Sequence, residues 1–221
     1  LRFSNRNQAR CSVKNGDTLL KDVVSRNNIR DTELLNRIIQ FIFDNVGSTF
    51  SAKNISDFLK SQGRKLGVET IYNYLDYLEN AFVIERVKRF DLKGRKYLET
   101  QEKIYAADVG IRNSVLGYRP TDIAGILENL VYLNLRQKGF TVSVGKSGTS
   151  EVDFVASKDG AVLYVQVCYQ LTPENLERGV SPLRQIKDNY VLTLSDLMTG
   201  DIEGIKIRNL IDFLAEPITT Y

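Results

Sequence analysis

The sequence predicts an α+β region followed by an α/β region, on three observations. Apolar residues recur at three- and four-residue spacing in three successive segments between residues 31 and 82. Two β-like stretches around the basic turn LKGRK come next. After Pro120 the order becomes helix, three short strands, helix, strand.

In the first region, DTELLNRIIQFIFDNVG places Leu34, Leu35, Ile38, Ile39 and Ile42 on one helical face, with Asp31 or Thr32 as cap and Gly47 as stop. AKNISDFLKSQG is a second helix, with Ile55, Phe58 and Leu59 on one side and Gly63 as terminator. GVETIYNYLDYLENAF repeats Ile71, Tyr74, Leu75 and Leu78 on one face. VIERVKRFDLKGRKYLETQEKIYAAD then supplies a two-stranded wing. Three helices and a wing in that order make a winged helix, which we assign to residues 31–118. Residues 1–30 are polar and basic, and read as a linker ending in a short helix around Thr18 to Ser25.

In the second region, residues 119–221, TDIAGILENLVYLNLRQKG is a helix with Ile123, Ile126, Leu127, Leu130, Val131 and Leu133 or Leu135 inward. FTVSVGK, EVDFVAS and AVLYVQVCYQ are three strands joined by GKSGTS and SKDG turns. PENLERGVSPLRQIKDN is a further helix, YVLTLS a buried strand, and IKIRNLIDFLAE a strand with a short closing helix. The result is a mixed sheet flanked by helices.

Composition narrows the chemistry. At 221 residues and 43% hydrophobic content, the chain can bury roughly 70% of its unfolded surface. Thirty Lys and Arg against 27 Asp and Glu, a net +3, give no bulk argument for nucleic acid, so any such contact must be local. Cys11 and Cys168 have neither metal-ligand spacing nor a disulfide framework, which suits a reducing compartment and argues against zinc. The absence of histidine removes histidine triads and histidine acid–base catalysis, leaving carboxylates, Lys, Ser or Tyr. No apolar run reaches the roughly 18–20 residues that span a bilayer, so we expect a soluble cytoplasmic protein with no membrane partner. The chain begins at Leu1 without a methionine, which fits a piece of something longer.

Pairing residues 151–168 about the SKDG turn puts Val152 and Phe154 on a face with Leu163, Val165 and Val167. Alternation then gathers Glu151, Asp153, Tyr164, Gln166 and Cys168 on the other. Glu128, interrupting the apolar run ILENLVYL, can reach the same end of the sheet. Converging hard oxygen ligands, Glu128 and Asp153 first, are what Mg²⁺ needs to activate a water, and a nearby lysine completes such a site.

A Glu on the first helix, Asp on the second strand and (Glu or Gln)-x-Lys on the third resembles the restriction-endonuclease-like PD-(D/E)XK fold. Glu128, Asp153 and Gln166 match in type and order, but Cys168 stands in the lysine position, and a thiol supplies no fixed positive charge. If GKSGTS pairs Val144 with Asp153, Lys146 shares the face of Asp153 and replaces that lysine. ENLV and G-x-x-EVDF behind a winged helix resemble the C-terminal part of bacterial and archaeal AAA-type ATPases. Those proteins carry an N-terminal P-loop module, a winged helix and a C-terminal domain of unknown function related to the nuclease fold. The likeness spans roughly residues 18–215. TLLKDVVSRNNIRD resembles the end of the ATPase module, and the chain has no G-x-x-x-x-G-K-[ST], so ATP would bind only upstream.

For nucleic acid, the third helix offers Glu69, Asp76 and Glu79, no Lys or Arg, and only Thr70, Tyr72, Asn73 and Tyr77 as polar readers. The cations collect in the wing, at Arg86, Lys88, Arg89, Lys93, Arg95 and Lys96, where a backbone-type contact is expected. Tyr72, Tyr74 and Tyr77 at helical spacing are read as half-buried packing residues. The expected function is recognition of DNA or of a protein partner, with an inactive nuclease-like domain and no catalysis in this chain alone. The alternative is a Mg²⁺-dependent nuclease using Glu128, Asp153 and Gln166.

Overall fold

A computed structural model describes residues 20–184, 186, 189–195 and 198–216, with the backbone alone at 99 and 100. The expected linker over 1–19 and Cys11 therefore lie outside the described residues. The chain forms two units. One contains the described residues up to Arg86 together with Glu102–Pro120, and the other Val87–Gln101 with the described residues from Thr121.

The first unit begins with helix α1 (20–26), followed by α2 (Thr32–Asp44), β1 (Thr49–Phe50), α3 (Ala52–Ser61) and α4 (Val68–Asn80). β2 (Ile84–Asp91) and β3 (Lys96–Ala106) divide their residues between the units, and α5 (Val109–Leu116) closes the first. The helices form where the spacing predicts because each has both an apolar stripe and a cap. Asp31 accepts a hydrogen bond from Leu34 N at 2.9 Å, and Ser51 and Asn54 make a reciprocal capping box. Leu34, Leu35, Ile38, Ile39 and Ile42 are buried, as are Ile55, Leu59, Ile71, Leu75 and Leu78. Phe58 is half-buried, its ring tilted against that of Phe41 with centroids 4.6 Å apart. β1 pairs antiparallel with β3, which lies between β1 and β2.

The second unit is a helix-flanked mixed sheet in the order β2-β4-β5-β6-β7-β9-β8. Its further elements are α6 (Ile123–Gln137), β4 (Thr141–Ser147), β5 (Ser150–Lys158), β6 (Ala161–Cys168), α7 (Leu176–Val180), β7 (Asn189–Thr193), β8 (Gly200–Ile202), β9 (Ile205–Asn209) and α8 (Leu210–Ala215). The β4-β5-β6 meander is antiparallel, while β6-β7 and β7-β9 are parallel.

Three features depart from expectation. The end of β2 pairs in parallel with β4, Arg89 to Val144 and Asp91 to Lys146, so residues 87–101 join the second unit where the sequence places them with the first region. The helix expected from Pro173 is a five-residue α7 and a 3-10 turn over Ser181–Leu183. Pro182 accounts for the break, because its ring denies the amide donor that a continuing α-helix would need, while Ser181 keeps a helical backbone at φ -55°. On α6, Asn129 and Tyr132 are buried while Ile123, Leu130 and Leu133 are half-exposed.

Candidate functional site

The decisive local feature is an irregularity in the β4-β5 ladder. Ser143 pairs with Val155 but Gly145 pairs with Val152, so β5 carries one extra residue across Val144. A bulge reverses the alternation beyond it. A Cβ added at Gly145 would lie 2.9 Å from Val155 Cγ2 and 3.0 Å from Val152 Cβ, so Val152 and Val155 crowd the same side of β4. Val152 accordingly packs with Leu171, Val180, Leu183, Val191, Ile205 and Ile207, beside Tyr164 and Cys168. Phe154 lies on the opposite face, 6.2 Å from the Tyr132 ring of α6. The expected grouping of Val152 with Phe154 is therefore wrong, and the bulge is the reason.

The same reversal divides the expected polar face. Asp153 stays with Gln166. Its Oδ2 accepts from Gln166 Nε2 at 2.7 Å and from Val167 N at 2.9 Å, while Gln166 Oε1 accepts from Asp153 N at 3.3 Å. Asp153 is 7% exposed, just past Phe154↔Val165, the end of the β5-β6 pairing, where its carboxylate takes up the Val167 amide. Glu151 turns to the other side, cross-strand from Lys146 and 3.7 Å from the guanidinium of Arg89. Lys146, adjacent to Gly145 and paired with Glu151, leaves the face of Asp153, so the lysine substitution expected there does not occur. Glu128 is half-buried on α6 and engaged in interactions of its own. Among the described residues, no group of three His, Cys, Asp or Glu could hold a metal, so Glu128 and Asp153 do not assemble a ligand set with Glu151 or Cys168.

The structure also explains the cysteine. Gly179 of α7 is packed so closely on β6 that a Cβ there would lie 3.3 Å from Cys168 Sγ and 3.1 Å from Leu171 Cδ1. With α7 so close over Sγ, the pocket suits a small side chain, not a long charged one. Burial and the nearby Asp153 charge push the thiol up to about 11, partly opposed by Arg178, so at neutral pH Cys168 is a protonated, weakly reactive group. The sequence puts Arg178 and Gly179 in the helix expected from Pro173, with nothing to link them to Cys168. They lie ten or more residues beyond Cys168, and only the return of α7 onto the sheet brings them there.

The six wing cations divide into two sets. Arg86 is fastened to the α4 carboxylates of Asp76 and Glu79, each at 2.6 Å. Arg89 is 8% exposed and bonds to Gln101 Oε1 at 2.5 Å and to Glu151. Lys88, Lys93, Arg95 and Lys96 are exposed and make no ion pair among the described residues. Asp91 Oδ1 accepts from Lys93 N at 3.1 Å to tighten the turn, and Arg95 takes a left-handed φ of 50°. Tyr97 beside them is 55% exposed and meets Phe90 edge-on at 5.2 Å. On α4, Tyr72 and Asn73 are exposed, while Tyr74 and Tyr77 are half-buried and paired at 6.2 Å. The packing role expected of the tyrosines thus holds for those two and not for Tyr72. No helix among the described residues is long and apolar enough to cross a membrane.

A family model described as a domain of unknown function, DUF8612, matches residues 4–122, more than half of the chain, and the chain belongs to that family. It is 36% identical over 201 residues to an uncharacterized protein of Haemophilus influenzae, covering 90% of this chain and 50% of that protein. It is 33% identical over 173 residues to the uncharacterized protein MJ1544 of Methanocaldococcus jannaschii, covering 76% and 38%. The chain thus spans half or less of the length of these curated relatives. No solved structure matches it.

Proposed function

We propose that this DUF8612 chain is a nucleic-acid recognition region, with the β2-β3 hairpin as its contact element. The observation that carries the reading is the division of the wing cations. Arg86 and Arg89 are engaged by internal carboxylates and a glutamine, whereas Lys88, Lys93, Arg95 and Lys96 are exposed and make no ion pair among the described residues. Free cations on a turn supply the sequence-independent phosphate term that dominates nucleic-acid affinity. The element order α2-β1-α3-α4-β2-β3 with strand order β1-β3-β2 supports the reading, being compatible with the winged helix expected from the sequence. Neutralisation of Asp76 and Glu79 by Arg86 also removes part of the phosphate repulsion expected of α4.

In this reading the second unit keeps a nuclease-like plan without nuclease chemistry. Asp153 and Gln166 satisfy each other, and a metal would have to displace both bonds to Asp153 Oδ2. ATP hydrolysis, as in the AAA-type ATPases the sequence resembles, belongs to the part of the longer protein beyond this chain. The length of the relatives leaves room for such a module, because 201 matched residues are half of the Haemophilus protein. The test is a salt titration of duplex DNA binding. Lys93→Glu with Arg95→Glu should weaken binding and flatten the salt dependence, and binding unchanged by the double reversal refutes the assignment.

A further inference from the structure

Between the hairpin and β6, within the second unit, lies an open groove of about 930 Å³. Its floor is apolar and aromatic, from Phe90 on β2, Leu92 in the turn beyond it, Val162 and Tyr164 on β6, and Ile186. Lys93 and Arg95 line it, and no carboxylate does among the described residues. We propose that this groove seats a single-stranded nucleic acid, with bases against the aromatic and aliphatic floor and phosphates on Lys93 and Arg95. The proposal rests on the hairpin reading above and names the strand state that reading leaves open.

Three observations select this occupant. The lining runs from Ser147, paired with Ser150 at one end of β5, to Ala161, paired with Lys158 at the other. That is the nine-residue length of β5, roughly 26 Å at the usual strand rise. A run of this length suits a polymer better than a compact small molecule. Two cations, with no carboxylate beside them among the described lining residues, select a polyanion. Bases need only π-faces and apolar surface, which Phe90 and Tyr164 provide, and duplex DNA keeps those base faces stacked inside.

The test measures anisotropy of the full 221-residue chain with three labelled probes: a 15-nucleotide dT strand, a 15-base-pair duplex and an Asp/Glu-rich peptide. Two floor variants, Phe90→Leu and Val162→Asp, are compared with Lys93→Glu, with urea melts confirming that each is folded. Phe90→Leu keeps apolar bulk and removes only the ring, so it reports stacking even if Val162→Asp fails to fold. The expected result is preference for the dT strand over the duplex, at least fivefold weaker dT binding in the floor variants at an unchanged salt slope, and a reduced slope in Lys93→Glu. If Phe90→Leu binds dT as wild type does while Lys93→Glu weakens both nucleic acids, the groove assignment falls and the hairpin reading stands. If neither nucleic acid binds, both fall. Tighter binding of the acidic peptide than of dT overturns the groove proposal in favour of a protein partner.

Discussion

The polar cluster of the meander and the cationic turn of the hairpin belong to the same unit, and their chemistry is opposite. In the meander, Asp153 accepts from Gln166 and Val167, Glu151 faces Arg89, and the thiol of Cys168 is closed over by Gly179. In the turn, Lys93, Arg95 and Lys96 have no acidic partner among the described residues. The first region has spent its polar groups on its own fold, because a buried donor or charge left unpaired costs more than the pair returns. The second leaves its charges in water, where they cost little and remain available to a partner. Self-satisfied polar residues therefore indicate architecture, and unsatisfied exposed ones indicate recognition.

The comparison is most exposed to test at Asp153. Asp153→Ala orphans the Gln166 amide and Val167 N, and should destabilise the protein by about 3 kcal/mol in urea denaturation, with little heat of Mg²⁺ binding by calorimetry in wild type or variant. Unchanged stability, together with Mg²⁺-stimulated DNA cleavage that the variant loses, would reverse the comparison and restore the nuclease reading. At the hairpin, Lys93→Glu with Arg95→Glu should cost at least tenfold in DNA affinity, about 1.4 kcal/mol. Its urea stability should stay within about 0.5 kcal/mol of wild type. Arg86→Ala sharpens the division of the cations, since it leaves Asp76 and Glu79 uncompensated. A stability loss of about 1–2 kcal/mol is expected, with thermal denaturation as the measurement.

A test confined to alkaline pH is at Cys168. Its folded pKa, about 11, lies above the 9.0 of an unperturbed thiol, so the unfolded thiol ionises first. The contribution is intact below pH 9 and is lost as pH rises from 9 to 11, by at most about 3 kcal/mol. Cys168→Ser should show a shallower fall in stability across that window. An identical slope would mean that α7 does not close over the thiol.

Much of the fold is legible because helices and strands announce themselves locally. The stripe Leu34, Leu35, Ile38, Ile39, Ile42 and the Asp31 cap need only their own neighbours, and so do the three meander strands and the SKDG turn. The candidate site was less legible. Alternation correctly joined Asp153 to Gln166, which bond side chain to side chain although Asp153 is one of the two residues opposite Val144. It failed for Glu151, Val152 and Lys146, because the extra residue opposite Val144 is set by the pairing of β5 with β4 and by the space over Gly145. Nothing in EVDFV itself signals it.

By itself, the sequence determined which segments become helices and strands, the absence of histidine chemistry, and the concentration of cations around LKGRK. Each is a matter of residue identity or of spacing within one element. Tertiary structure decided which face each polar residue occupies, why a cysteine fits beneath α7, and which cations stay free. Arg86 finds its carboxylates seven and ten residues away on α4, and Arg89 meets Gln101 and Glu151 across strands. Neutralisation and parity depend on what lies opposite in space, and one extra residue in a ladder changes both.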